Sequence, residues 1–156
     1  MFTMKQLNKV LCEIKGLKKQ TVFSARKNPL AYRLSQMNNQ HRGAAVEKLI
    51  RDALANNGKK VEYIGGNHPF DMKVNGKRVE VKSSVPQVIE TKTGRTFYYR
   101  FQNIKTKHFD KIVLVFVTPD GLVSKTFSRK VMDKKLRKSK YYSNGKTYLS
   151  TCPVTT

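Results

Sequence analysis

Apolar side chains recur along this chain in two periods, and the change from one to the other predicts its elements. Residues 4–19 carry Leu7, Val10, Leu11, Ile14 and Leu17 at helical spacing, which predicts a helix. Residues 21–40 are less regular. Pro29 interrupts them, and Arg26, Lys27 and Arg33 alternate with Phe23, Leu30 and Tyr32; loop plus a short helix is expected. A further helix is expected over 43–56, where Val46, Leu49, Ile50, Ala53 and Leu54 form one apolar stripe. Asn57-Gly58 closes it, as glycine does just past a helix C-terminus. Beyond that point the period falls to two. A strand is expected over 60–64, then a loop over 65–69. Residues 70–74 and 77–82 are alternating runs joined by Asn75-Gly76, the favoured two-residue hairpin turn. More strands are expected over 96–102, 111–117 and 122–127, with Thr118-Pro119-Asp120-Gly121 as a turn. A basic helix over 128–138 follows, and a second Asn-Gly turn at 144–145. Helices before, strands after and one mixed run between predict an α/β fold, a central mixed sheet flanked by helices.

No repeat, low-complexity linker or break in composition divides the 156 residues. A single domain is expected, with its core at about 42–128, a basic helical segment at 1–41 and a basic segment at 129–156. The apolar share is 38% and there are 15 Phe and Tyr residues, enough for a real core without metals or disulfides. Only Cys12 and Cys152 are present. That is no disulfide framework, and no Cys or His spacing suits zinc. No apolar run reaches the ~18 residues of a membrane span, and the first residues lack the apolar stretch of a signal peptide. A cytoplasmic protein with no membrane partner is expected, bacterial or phage-encoded and acting in a host cytoplasm.

Charge changes the picture most. The chain holds 32 Lys and Arg against 10 Asp and Glu, a formal net of +22. Such a field points to a polyanionic partner, and nucleic acid fits best because each neutralised phosphate releases counterions. The acids are unevenly placed. Residues 1–46 and 121–156 each carry nine basic residues and one acid, whereas 47–120 carries 14 basic residues and eight acids. A polyanion binder keeps acids away from its contact surface unless they act there, which makes the central acids the informative ones.

The hairpin register makes two of them stand out. With the loop at 75 and 76, Val74 faces Lys77, Lys73 faces Arg78, Met72 faces Val79, Asp71 faces Glu80 and Phe70 faces Val81. One side is then Phe70, Met72, Val74, Val79 and Val81. The other carries Asp71, Glu80 and Lys82. Like charges directly opposite each other destabilise a strand pair. A hard divalent cation accounts for such a pair, since Mg²⁺ takes one or two carboxylates plus water and phosphate oxygens. Lys82, two residues beyond Glu80, can orient a water or stabilise charge building on a phosphate. Metal, water and phosphate at one point would be metal-assisted phosphodiester hydrolysis. The structural alternative is a solvated hairpin face whose acids pair with Lys73 and Arg78. The Glu-x-Lys string alone decides nothing, because it occurs at Glu13, Glu80 and Glu90.

Asp71, eight residues, then Glu80-Val81-Lys82 resembles the signature of the PD-(D/E)XK nuclease superfamily, which includes restriction enzymes, Holliday junction resolvases and some homing endonucleases. The resemblance spans about 42–117. It takes in Gly43-Ala44-Ala45-Val46-Glu47, similar to the family's helical Gly-x-x-x-Glu, and the apolar strand Ile112 to Val117. The literal proline–acid pair is absent, because Phe70 separates Pro69 from Asp71. The resemblance implies a restriction-endonuclease-like fold and a DNA endonuclease using Mg²⁺, with Mn²⁺ as a substitute. It implies Asp71, Glu80, the Val81 carbonyl and Glu47 around the metal, with Glu47, Asp71, Glu80 and Lys82 as catalytic residues. It also implies a homodimer. Small size and diffuse basicity favour structure-selective cutting, as by a Holliday junction resolvase. The alternatives are a sequence-specific restriction or homing enzyme, and a basic nucleic-acid-binding protein that is no enzyme. Weaker candidates are Gln102 as a polar helper on the next strand, His68 as a DNA contact, and Tyr98, Tyr99 and Phe101 as either stacking platforms or the two faces of a strand. Arg129, Lys130, Lys134, Lys135, Arg137 and Lys138 are expected to form a phosphate-facing helix or a solvated charge run. His41, His108 and Asp110 form no interpretable arrangement.

Overall fold

The structure is a computed structural model that describes residues 22–64, 68–92, 94–137, 142–143 and 145–150. The helix expected over 4–19, Cys12, Cys152, Lys138 and Asn144 lie outside the described residues.

Pro29 does not break a helix; it opens one. Helix α1 runs Pro29–Gln36 with proline in its first turn, where the missing N–H has no helical partner to lose. The Asn28 side chain caps it, accepting from the Ala31 amide at 2.9 Å, and its Nδ2 reaches the Asp120 carbonyl at 3.1 Å. Gly121 follows at φ +139°, and a Cβ there would meet Asn28 Nδ2 at 3.2 Å. Helix α2, Asn39–Asn56, starts four residues before the apolar stripe suggested. Asn38 supplies the start, accepting from the His41 amide at 2.8 Å. At the far end Gly58, at φ +79°, forms a Schellman close: the Gly58 amide donates to the Ala55 carbonyl and the Lys59 amide to that of Leu54.

The first sheet contains β1 (Val61–Tyr63), β2 (Met72–Val74), β3 (Lys77–Ser84), β6 (Lys111–Thr118) and β7 (Gly121–Ser128), in the order β1-β2-β3-β6-β7. Only β3 and β6 run parallel; the other pairs are antiparallel. The fold is therefore α/β with a five-stranded mixed sheet. Strand β6 lies inside it, and Ile112 through Val117 are all buried, which explains a continuous apolar run where edge strands alternate. Val113, Val115 and Val117 pack with Ala31, Leu34, Val46, Met72 and Val79, beneath α1 and α2. Ile112, Leu114 and Phe116 face the opposite core.

That opposite core is capped by a second sheet, which hydrophobic periodicity revealed only in part. It has the order β4-β5-β9-β8, from β4 (Pro86–Thr91), β5 (Gly94–Ile104), β8 (Tyr142–Ser143) and β9 (Gly145–Ser150). Only the middle of β5 was expected. Residues 86–91, for which the pattern predicts no element, pair with β5 from Pro86 opposite Tyr99 to Thr91 opposite Gly94. Phe97, Tyr99 and Phe101 of β5 are fully buried, and Tyr99 and Phe101 meet Phe116 edge-to-face at 5.0 and 5.1 Å. They are core residues, not stacking platforms; each such burial stabilises by roughly 1.5–3 kcal/mol. Helix α3, Arg129–Arg137, adds Met132 and Leu136 to the same core.

Candidate active site

Strand β3 carries Glu80 and Lys82 in alternation with the buried Val79 and the half-buried Val81. Glu80 pairs with Ile112 and Lys82 with Leu114 across the parallel ladder. The two therefore lie on the face that the second sheet covers, not on an open solvated face. Their side chains are 18% and 23% exposed, with Lys82 Nζ 4.0 Å from Glu80 Oε1.

The hairpin keeps the expected register as far as Met72 opposite Val79. There it departs. The Asp71 amide donates to the Val79 carbonyl rather than standing opposite Glu80. Strand β2 ends, and the Asp71 carboxylate takes the place of the missing neighbour: its Oδ2 accepts from the Val81 amide at 2.7 Å. The Asp71 and Glu80 carboxyls lie close enough for each to shift the other's ionisation. Glu47, half-buried on α2, feels the Asp71 charge, and Glu80 feels that of Glu47. The fold thus gathers Glu47 from α2, Asp71 from the residue just before β2, and Glu80 and Lys82 from β3.

All three acids are pushed towards the protonated form. Burial raises Glu80 to about 7; the Asp71 charge adds to this and Lys82 opposes it. Burial raises Asp71, against the Val81 amide and Lys82, which favour its charge. Burial and Asp71 raise Glu47, and Arg51 pulls it back. Arg51 also lies 4.5 Å over the ring of the exposed Tyr63. Even in a chain of net charge +22, burial here outweighs the nearby cations Lys82 and Arg51. Arg78, a partner the sheet-face alternative needed, is engaged elsewhere: its guanidinium binds Asp110. Lys73 makes no ion pair among the described residues.

The donor set suits a hard cation. Two adjacent carboxylates that repel each other, with oxygens only, are what Mg²⁺ takes up while keeping its waters. Among the described residues no three Asp, Glu, His or Cys side chains stand close enough to enclose a metal ion. A cation here would rest on Asp71 and Glu80 and fill its shell from solvent and substrate.

Beside these acids, where β3 leaves the first sheet and β4 enters the second, lies a cleft of about 280 Å³. It is bounded by the first turns of α2, residues 81–85 and residues 100–102 of β5. Lys82 lines it; Asp71 and Glu80 stand next to it without lining it. Gln102 also reaches it, as does Arg42, which no sequence signal marked. His68 is exposed in the loop before the hairpin.

The remaining candidates resolve into structure. Asp110 is a tie point: Arg78 binds it through the backbone amide at 2.9 Å and the side chain at 3.2 Å, and Arg129 at 2.8 Å. Lys135 sits 5.0 and 5.9 Å over the Phe127 and Tyr148 rings. Of the basic positions on α3, Lys130 and Lys134 remain exposed.

No family model and no curated protein matches the chain. Among solved structures, the fold is similar to that of a bacterial homing endonuclease. The identity is 13%, the TM-score 0.47, and the match covers 73% of this chain and 78% of that one. At that level the likeness carries no inference about chemistry, which is left to the carboxylates and Lys82.

Proposed function

We propose that this protein is a metal-dependent DNA endonuclease, with Asp71, Glu80 and Lys82 at the reacting centre. The observation that carries the reading is the paired, half-buried Asp71 and Glu80 carboxylates, whose burial outweighs the nearby Lys82 in a strongly basic protein. Asp71 and Glu80 hold Mg²⁺ or Mn²⁺, with the Val81 carbonyl and Glu47 completing or orienting the site. A bound Mg²⁺ supplies Lewis-acid polarisation of a phosphodiester and lowers the pKa of its water. The protein's own part is to hold the carboxylates and Lys82 in place. The Val81 amide fixes the Asp71 carboxylate, and the Lys82 ammonium, 4.0 Å from Glu80, stands ready to orient the attacking water or meet charge developing on the phosphate.

Diffuse basicity favours structure-selective cutting, of a four-way junction, over sequence-specific cutting; a homodimer would supply the two active sites that paired cuts need. The test incubates the protein with linear duplex, supercoiled plasmid and four-way junction DNA, in Mg²⁺ or EDTA, beside Asp71→Ala and Lys82→Ala. Mg²⁺-dependent cleavage that falls by about 10²–10³-fold in either variant is expected. No cleavage of any substrate by the wild type overturns the reading and leaves a nucleic-acid-binding protein, and equal cleavage by the variants overturns the site.

A further inference from the structure

The cleft next to the acids has the opposite electrostatic character. Arg42, Lys82 and Arg100 line it, and no Asp or Glu does. Its remaining polar groups include Ser83, Ser84 and Gln102, of which Ser84 is already engaged with the Arg100 amide and the Val85 carbonyl.

Arg42 is the informative member. It is 7% exposed. Its guanidinium donates to the Leu34 and Met37 carbonyls and to Asn39 Oδ1. Each of its three nitrogens finds an acceptor, which ties α1 to α2, but none of the acceptors is a carboxylate. The charge is largely out of water with no counter-charge, a costly arrangement unless an anion completes it. Arg100 is exposed, and among the described residues its guanidinium has no hydrogen-bond or ion-pair partner. Its planar fork suits a phosphate. The whole surface is basic, so charge alone singles out nothing. What singles out this cleft is concavity, freedom from acids and a buried uncompensated guanidinium in one place.

We infer that the cleft is a subsite for a backbone phosphate of a nucleic-acid strand, held by Arg100 and Lys82 in the field of Arg42. Lys82 belongs both to the cleft and to the carboxylate centre. The phosphate bound here is therefore the neighbour, on the same strand, of the one at Asp71 and Glu80; this second half rests on the proposed nuclease function. The subsite sets the register of the strand and does not take part in bond breaking.

The test is binding without cleavage. A short labelled DNA duplex in EDTA is titrated with wild type, Arg100→Gln and, as a control for lost surface charge, Lys105→Gln; Lys105 is exposed and does not line the cleft. Arg100→Gln is expected to weaken binding by about fivefold or more at physiological salt, and to flatten the dependence of log Kd on log salt concentration by about one. Lys105→Gln is expected to change Kd by less than about twofold. Equal effects of the two substitutions overturn the subsite. If the wild type cleaves nothing with Mg²⁺ but the contrast between the variants persists, the nuclease reading falls and the phosphate site stands. If it cleaves and the variants bind alike, the subsite falls alone.

Discussion

Two groups of acids in this protein sit in opposite electrostatic settings. Asp110 joins the start of β6 to Arg78 on β3 and Arg129 on α3. Those guanidinium groups and the Arg78 amide hold its carboxyl well below the usual carboxylate range, although its side chain is one-third exposed. Asp71 and Glu80 are half-buried, adjacent to each other and raised. Cations outnumber acids about three to one in this chain. Neutralising an acid is easy here, and Asp110 shows it done twice over. Asp71 and Glu80, which have Lys82 as their nearby cation, lack that double neutralisation, and the proposed function gives their negative charge a use. An acid tied to two arginines stabilises the fold; the half-buried acid pair is where the proposed cation would sit.

Substitutions can break this comparison, and the largest effect is on cleavage. Asp71→Asn and Glu80→Gln should each lower Mg²⁺-dependent DNA cleavage by about 10²-fold or more, whereas Asp110→Asn should keep cleavage at a temperature where it stays folded. Gel assays of plasmid nicking read this. Comparable losses in all three would erase the distinction.

Stability against pH comes next. Glu80 has its carboxyl raised from 4.5 to about 7 in the folded chain, so the folded state binds the proton more tightly than the unfolded one. Without metal, stability then falls as pH rises between those values, by up to about 3 kcal/mol, and stays lower above them. Glu80→Gln should melt near the wild type at pH 4.5 and several degrees above it at pH 8. A variant that melts lower at pH 8 would show that the charge is compensated after all. Asp110 has the opposite sign. Its depressed carboxyl contributes stability above the unfolded value, and that contribution is lost as pH falls through the folded one. Asp110→Asn should lose about 1–2 kcal/mol at pH 7, from charge-assisted hydrogen bonds, and the gap to wild type should close in strong acid. Thermal melts by circular dichroism measure both series.

The smallest expected effect concerns the basic helix. Lys135 lies over the Phe127 and Tyr148 rings, so Lys135→Ala should cost about 0.5–1 kcal/mol of stability. Lys134→Ala, at an exposed position, should leave stability within about 0.5 kcal/mol. A larger loss at Lys134 would mean that α3 depends on its charge and not on Met132 and Leu136.

Local chemistry determined much of this molecule in advance. Asn75-Gly76 demanded a two-residue turn, and the turn set the pairing from Val74 opposite Lys77 to Met72 opposite Val79. The run from Ile112 to Val117 announced a strand buried on both faces. The helix over 43–56, its glycine stop and the two strands about Pro119 were legible for the same reason: each depends on neighbours in sequence. Loop plus a short helix holds over 21–40, but Pro29 alone does not say where the helix starts, because proline ends a helix from inside and starts one from the first turn; the Asn28 cap decides it.

Tertiary structure decided what local patterns cannot carry. Residues 86–91 became a strand through pairing with β5, not through their own alternation. Whether the acid-bearing face of β3 met solvent or a second sheet depended on that same distant packing. The approach of Glu47 on α2 to Asp71, the turn of the Asp71 carboxylate onto the Val81 amide, and the removal of Arg78 to Asp110 all join residues far apart in the chain. The sequence by itself determined which acids could share one side of a hairpin. Burial and the withdrawal of nearby cations determined their charge, because desolvation and Coulomb interaction depend on everything packed around a group and not on the order in which its neighbours are joined.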